Sequence, residues 1–197
     1  MSISPAAGGT TTGLIRIVGG AALLAATLAA CSGASFSTPG PAGGSEGAAG
    51  QSGEVSVADG VLDEPVSVTA DLPALTGLDD DLLAAVQHAA DDAADDGMQM
   101  LITSGWRSAA YQEHLQTEAV EEYGSAEEAA RWVASPTESR HVSGAAVDVG
   151  PTDAAYWMSE FGSRYGLCQT YANEVWHYEL ATEPGGECPV PVTDAAS

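Results

Sequence analysis

The sequence predicts an α+β fold, and three observations lead there. Residues 79–96 carry Leu82, Val86, Ala90 and Ala93, with Leu78 just ahead, at helical spacing, which writes one long amphipathic helix. Short apolar runs stand apart at residues 99–104 and 145–149, and residues 175–181 alternate apolar and polar in strand fashion. Helices cluster between these strands instead of alternating with them one for one, so a regular parallel sheet is not expected.

Taken in order, the first thirty residues contain no acidic residue, one arginine (Arg16) and an apolar stretch that closes on Leu28-Ala29-Ala30-Cys31. That stretch is short for a bilayer span and has the charged start and small-residue end of a secretory signal. Its end resembles the lipobox of bacterial lipoproteins, in which the cysteine becomes the lipidated first residue. Residues 1–30 are therefore expected to be a signal peptide and Cys31 an anchor to the outer side of the cell membrane. The alternative is an ordinary signal peptide with a chance cysteine. Residues 31–60 are Gly, Ser, Ala and Pro with few large apolar side chains; such a stretch buries too little to offset chain entropy and is expected to be a flexible tether. Residues 61–190 form the expected folded domain, and residues 191–197 a disordered tail.

Within the domain, residues 61–72 fit an edge strand or an extended lead-in. Asp79, Asp80 and Asp81 crowd the positive end of the first long helix and Gly97 sits at its stop. Asp95 and Asp96 lie at its negative end, where they are locally unfavourable. Further helices are expected over residues 108–123, ended by Gly124, over 125–133, opened by Ser125 and Glu128 in capping-box spacing, and over 152–165, ended by Gly166. The acidic runs lack the ligand spacing and glycine of calcium loops, so they are solvated helix faces.

Charge limits the partners. Five Lys+Arg face 28 Asp+Glu, a net −23 with no lysine at all, so nucleic acid and anionic membrane surfaces are repelled. Contact with a membrane is expected through the lipid anchor only. With Cys31 assigned to lipid, Cys168 and Cys188 remain as a pair in an oxidising compartment, where a disulfide is the leading reading and two free buried thiols the alternative. A bridge there would close a loop containing residues 174 and 177.

Chemistry concentrates around two of four histidines. One lies in Ser139-Arg140-His141-Val142-Ser143-Gly144-Ala145-Ala146-Val147-Asp148, the other in Asn173-Glu174-Val175-Trp176-His177. Two imidazoles and one carboxylate make a natural catalytic zinc set, leaving a fourth position open for water. A second carboxylate must then carry the water's proton, and Glu174 fits if the chain bends near Val175, because positions i and i+3 of a straight strand face opposite ways. Gly144 would let the chain turn after His141 so that Asp148 returns to the same ion. His88 and His114 sit in polar helical contexts and receive no role. Arg140 and Arg164 are expected in surface ion pairs, and Trp106 and Trp176 in core packing or the pocket wall.

Together with Ser104-Gly105-Trp106-Arg107-Ser108 and Gln112, these segments resemble the zinc D-alanyl-D-alanine carboxypeptidases, a family that includes enzymes of vancomycin resistance and shares a fold with the Hedgehog signalling domain. The resemblance covers about residues 72–180. It implies a small antiparallel sheet flanked by helices, Zn2+ held by His141, Asp148 and His177, and Glu174 as catalytic base. It also implies that Arg107 binds substrate and steadies the developing oxyanion, with Gln112 and Ser139 near the substrate. The implied activity is trimming of peptidoglycan stem peptides ending in D-Ala-D-Ala, outside the membrane, by a monomer. Two alternatives stay open: cleavage of another wall bond (L-Ala-D-Glu or a free D,D-dipeptide), and a non-catalytic zinc-bearing binding domain.

Overall fold

The computed structural model describes residues 54–197. The expected signal peptide, Cys31 and most of the expected tether lie outside the described residues. None of the described helices is long and apolar enough to cross a membrane.

Five strands make one antiparallel sheet in the order β1-β2-β3-β5-β4: β1 Val66–Ser67, β2 Leu101–Ser104, β3 Val147–Gly150, β4 Leu167–Gln169 and β5 His177–Leu180. Two long helices cover one face. The first, α2 (Asp80–Asp95), follows a single turn, α1 (Pro73–Thr76). Leu82, Val86, Ala89, Ala90 and Ala93 of α2 are buried against Ile102, Val147, Val149 and Tyr178 of the sheet, with Ala154, Trp157 and Met158 of α5 (Thr152–Phe161) completing the core. The expected stripe on α2 is therefore the buried one. Other features account for its ends. Asp79 caps it by accepting from the Asp81 N–H at 3.0 Å. Asp96 accepts from Trp157 Nε1 at 2.9 Å and Asp92 from the Tyr165 hydroxyl at 2.5 Å. The acidic end that looks unfavourable in sequence thus ties α2 to α5 and to the 3-10 turn Gly162–Tyr165 that follows it.

The other face of the sheet carries the polar side chains of the central strands and is bordered by α3 (Ala109–Tyr123) and α4 (Ala126–Ala130). Ser108 caps α3 and Ser125 caps α4. The last turn of α4 tightens: the N–H groups of Arg131 and Trp132 bond back three residues, at 3.3 and 3.0 Å, so the helix ends short of the expected residue 133. The expected helix over 152–165 likewise divides into α5 and its 3-10 turn. The edge strand reading of residues 61–72 holds only for Val66–Ser67.

Two stretches expected outside the domain lie against it. Ser56–Gly60 make a capped 3-10 turn, and Asp59 accepts the Ser108 N–H at 2.8 Å and hydroxyl at 2.9 Å. Residues 191–197, poor in apolar side chains and so expected as a tail, form a strap. Val192 bridges to Tyr171, and Asp194 pairs with Arg131 at 2.8 Å. Main-chain bonds and one buried carboxylate supply what composition does not.

Gly144 meets the requirement set for it. Its φ is +74°, its N–H donates to the His141 carbonyl at 3.1 Å, and its own carbonyl accepts from the Asp79 N–H at 2.9 Å. A Cβ there would stand 2.5 Å from the Gly77 carbonyl oxygen. Gly144→Ala should therefore cost about 1–3 kcal/mol of stability, read as a lower Tm by calorimetry; an unchanged Tm would remove the turn from its structural role.

Candidate metal centre

The register of the sheet builds the centre. Asp148 on β3 stands directly opposite His177 on β5, and facing residues of an antiparallel pair have their Cβ atoms about 5 Å apart. His141 arrives from the turn that Gly144 closes, and its carbonyl accepts the Arg107 N–H at 3.2 Å. The result is a triangle of donor atoms: His141 Nε2 to His177 Nδ1 is 3.2 Å, His141 Nε2 to Asp148 Oδ1 3.4 Å, and His177 Nδ1 to Asp148 Oδ1 3.2 Å. Donors at the corners of a tetrahedron with bonds of about 2.0–2.1 Å stand about 3.3–3.4 Å apart, the spacing of a zinc site. All three residues are buried. The donor set and its spacing fit a divalent cation.

Each imidazole has its tautomer set from behind. His141 Nδ1 lies 2.8 Å from the Gly105 carbonyl, which fixes the proton on that nitrogen and leaves Nε2 for the ion. His177 Nε2 lies 3.2 Å from Glu179 Oε1, leaving Nδ1. Glu179, two residues on and so on the same face of β5, accepts from the Thr170 hydroxyl at 2.7 Å and pairs with Arg140 at 3.1 Å. In sequence Tyr178 and Glu179 both read as supports for the ligands, and the i+2 spacing of Glu179 from His177 puts it, not Tyr178, on the ligand face. Tyr178 faces the opposite way and donates its hydroxyl to the Ala155 carbonyl inside the core at 2.7 Å.

Glu174 sits in the loop before β5, and the turn over Val175 and Trp176 brings its Oε2 to 3.8 Å from His177 Nδ1. It is 7% exposed, and its Oε1 is buried without a hydrogen-bond partner among the described residues. A carboxylate oxygen left so is open to a water or ion in the cleft. Arg107 is held three ways: Nε donates to Ser104 Oγ at 2.8 Å, Nη1 to Gln112 Oε1 at 3.2 Å and Nη2 to Asp148 Oδ2 at 3.1 Å. Gln112 in turn donates to the Ala134 carbonyl at 2.9 Å, so its amide is engaged at both ends and supports the guanidinium. Ser139 is buried in the wall of the cleft.

These residues line a cleft of about 320 Å3 together with Tyr123, Trp132, Tyr171, Trp176 and Ala195. Trp176, 39% exposed, is cleft wall, while Trp106 packs on the core. The Tyr171 ring lies 4.8 Å from that of His177. Arg140 makes the expected ion pair; Arg164 instead sits over the Phe161 ring at 4.3 Å. A larger groove, about 880 Å3, lies beside α2 and contains His88 and Arg164 but none of the three clustered ligands. Its size reflects openness to solvent, and the convergent chemistry is in the smaller cleft.

Burial lowers the pKa of His141, favouring the neutral, ligating form. Burial would raise that of Asp148, but the two imidazoles outweigh it and hold the carboxyl well below its usual range. Burial pushes Glu174 up to about 7. Burial would push His177 down, yet its hydrogen bonds to Asp148 and Glu179 win and raise it to about 9. At pH 7 the metal-free chain therefore carries a proton on His177 that a cation must displace. Uptake of a divalent cation should release protons, and apparent affinity should tighten as pH rises toward 9. Calorimetry in buffers of different ionisation enthalpy measures this, and proton-neutral binding would contradict it.

Cys168 on β4 and Cys188 are bridged, with a Cα separation of 5.7 Å, and Cys168 lies opposite Glu179 in the sheet. The closed loop contains both Glu174 and His177, and a loop of about twenty residues is stabilised by about 3 kcal/mol in chain-entropy models. Reduction with a phosphine should lower retention of a bound divalent cation before the far-UV circular dichroism changes. Full metal content in reductant would reject this support.

The family model of VanY, D-alanyl-D-alanine carboxypeptidase, matches residues 76–184. A D-alanyl-D-alanine carboxypeptidase of Enterococcus faecalis (strain ATCC 700802 / V583) is 31% identical over 118 residues, covering 47% of this chain and 44% of that protein. The chain thus spans less than half the length of this curated relative. Among solved structures, a VanY D,D-pentapeptidase variant from a VanB-type vancomycin resistance cassette, in complex with Zn(II), is similar at 28% identity with a TM-score of 0.50, over 52% of this chain and 71% of that one. VanYB in complex with D-Alanine-D-Alanine is similar to the same degree, over 52% and 70%. The vancomycin resistance D,D-dipeptidase VanXYg, in complex with a D-Ala-D-Ala phosphinate analog, shares the fold at 21% identity and a TM-score of 0.51, over 61% of this chain and 56% of that one. With its family model matched over more than half of its length, and with a buried His-Asp-His cluster in the matched region, the chain belongs to the VanY D-alanyl-D-alanine carboxypeptidase family.

Proposed function

We propose that this protein is a zinc-dependent D-alanyl-D-alanine carboxypeptidase that trims peptidoglycan stem peptides outside the cell membrane, tethered there through Cys31. The observation that carries the reading is the donor triangle of His141, Asp148 and His177 with the unpartnered oxygen of Glu174 beside it. A binding domain needs the triangle but has no use for the fourth acid.

Zinc supplies Lewis-acid polarisation of the scissile carbonyl and makes a water acidic enough to attack near neutral pH. Glu174 takes the proton from that water and hands it to the leaving amino group of the terminal D-alanine, a role suited to a carboxyl raised to about 7. A guanidinium has five N–H donors, and three of those on Arg107 are held by Ser104, Gln112 and Asp148. The remaining two are free to bind an anionic group of the substrate. Glu179 keeps His177 oriented through the cycle, and Trp132 and Trp176 form part of the cleft wall.

The test is release of D-alanine from pentapeptide stems by the purified protein, followed by mass spectrometry with zinc and with chelator. Glu174→Ala should keep one zinc per chain and lose turnover by roughly 10²–10⁴-fold. Turnover retained in that variant would remove Glu174 from the base role. Cleavage at an L-Ala-D-Glu bond or of free D,D-dipeptide alone would reassign the substrate.

A further inference from the structure

Where α4 stops, three parts of the chain meet. The early end of the helix turns the carbonyl of Arg131 outward, and it accepts the Ala195 N–H at 3.3 Å and Asn173 Nδ2 at 3.1 Å. The Arg131 guanidinium reaches the same strap, with Nε donating to Asp194 Oδ2 at 2.8 Å. Asp194 is 7% exposed. Its other oxygen accepts from the Ala196 N–H at 3.1 Å and the Ser197 hydroxyl at 3.0 Å, folding the strap into a turn.

The strap is also laced to the loop that bears Glu174. The Ala172 N–H donates to the Val192 carbonyl at 2.8 Å, the Val192 N–H donates to the Thr170 carbonyl at 3.0 Å, and Tyr171 bridges to Val192. Residues 170–173, immediately ahead of Glu174, are thereby held by the strap on one side and by Arg131 through Asn173 on the other. Of the strap, Ala195 lines the cleft, as do Trp132 and Tyr171.

We infer that Arg131 and Asp194 form a clasp that positions the Glu174 loop and holds the strap 191–197 as one wall of the substrate cleft. The inference rests on the peptidase reading and deepens it: both are positioning residues, neither touching the reacting atoms. The Arg131 end of the pair is solvated, and an ion pair with one exposed partner ordinarily adds little to stability, so its effect is expected in geometry, where a displacement of about 1 Å can cost about 10²-fold in rate.

The experiment compares the zinc-loaded full chain with Arg131→Gln, Asp194→Asn and the charge-swapped double variant Arg131→Asp/Asp194→Arg. The readouts are kcat and KM for D-alanine release from a pentapeptide stem, zinc content, and amide hydrogen exchange at Ala172 and Ala195. The single variants should keep one zinc per chain while kcat falls about tenfold, KM rises, and both amides exchange faster; the swapped pair should recover most of the lost kcat. Values of kcat and KM within twofold of the parent, with unchanged exchange, would overturn the clasp. If a single variant does not fold, Asp194→Glu keeps the charge and lengthens the arm. A lower kcat with full zinc content in it supports the clasp, and parental kinetics overturn it. If the parent itself releases no D-alanine, the peptidase reading fails separately, and the exchange rates alone decide: faster supports the clasp, unchanged overturns it.

Discussion

The centre depends on the pairing of β3 with β5. On one face of these strands Asp148 meets His177; on the other Val147 meets Tyr178, both completely buried against the helices. Side chains alternate along a strand, so a slip of one residue in either strand would turn that strand's ligand, Asp148 or His177, into the apolar core and its apolar neighbour, Val147 or Tyr178, into the cleft. Burying an unpaired carboxylate there is prohibitive. The apolar face therefore fixes the register, and the register fixes the ligand spacing. The core formed by α2, α5 and the sheet is what makes the triangle of donors a structural constant.

Charge balance around that triangle is the second constraint. Asp148, Glu174 and Glu179 are three buried acids in a strongly acidic chain. Arginines answer two of them directly, Arg107 at Asp148 and Arg140 at Glu179. Glu174 makes no ion pair with an arginine among the described residues, and burial raises its pKa to about 7. With so few cations available, their placement is informative: two of the four arginines among the described residues stand at the cleft, a third holds the strap, and Arg164 lies on an aromatic ring.

How legible this was in the sequence depended on the range of the interaction. The helix over 79–96 was readable because its stripe repeats locally, and the four site residues because each lies in a compact pattern with its own punctuation, Gly144 above all. The bend needed between Glu174 and His177 followed from strand geometry alone. Residues whose roles arise from distant partners were not readable. Asp194 is an unremarkable acid in a polar segment until Arg131, far away in sequence, turns up beside it. β4 is too short to show alternation. Asp95 and Asp96 looked like misplaced charges, and for Asp96 the donor, Trp157, lies on an element that only tertiary packing brings near.

β1 has two residues and β4 three, so neither border of the sheet offers a long row of free amide and carbonyl groups. Beside β4 runs the segment carrying Cys188, covalently fastened to that strand and followed by Pro189 and Pro191, residues that cannot donate to an incoming strand. A sheet finished in this way resists templating by another polypeptide. For a domain with no more than a small core to defend it, that is protection against self-association by strand addition, a hazard that grows wherever many copies share one surface.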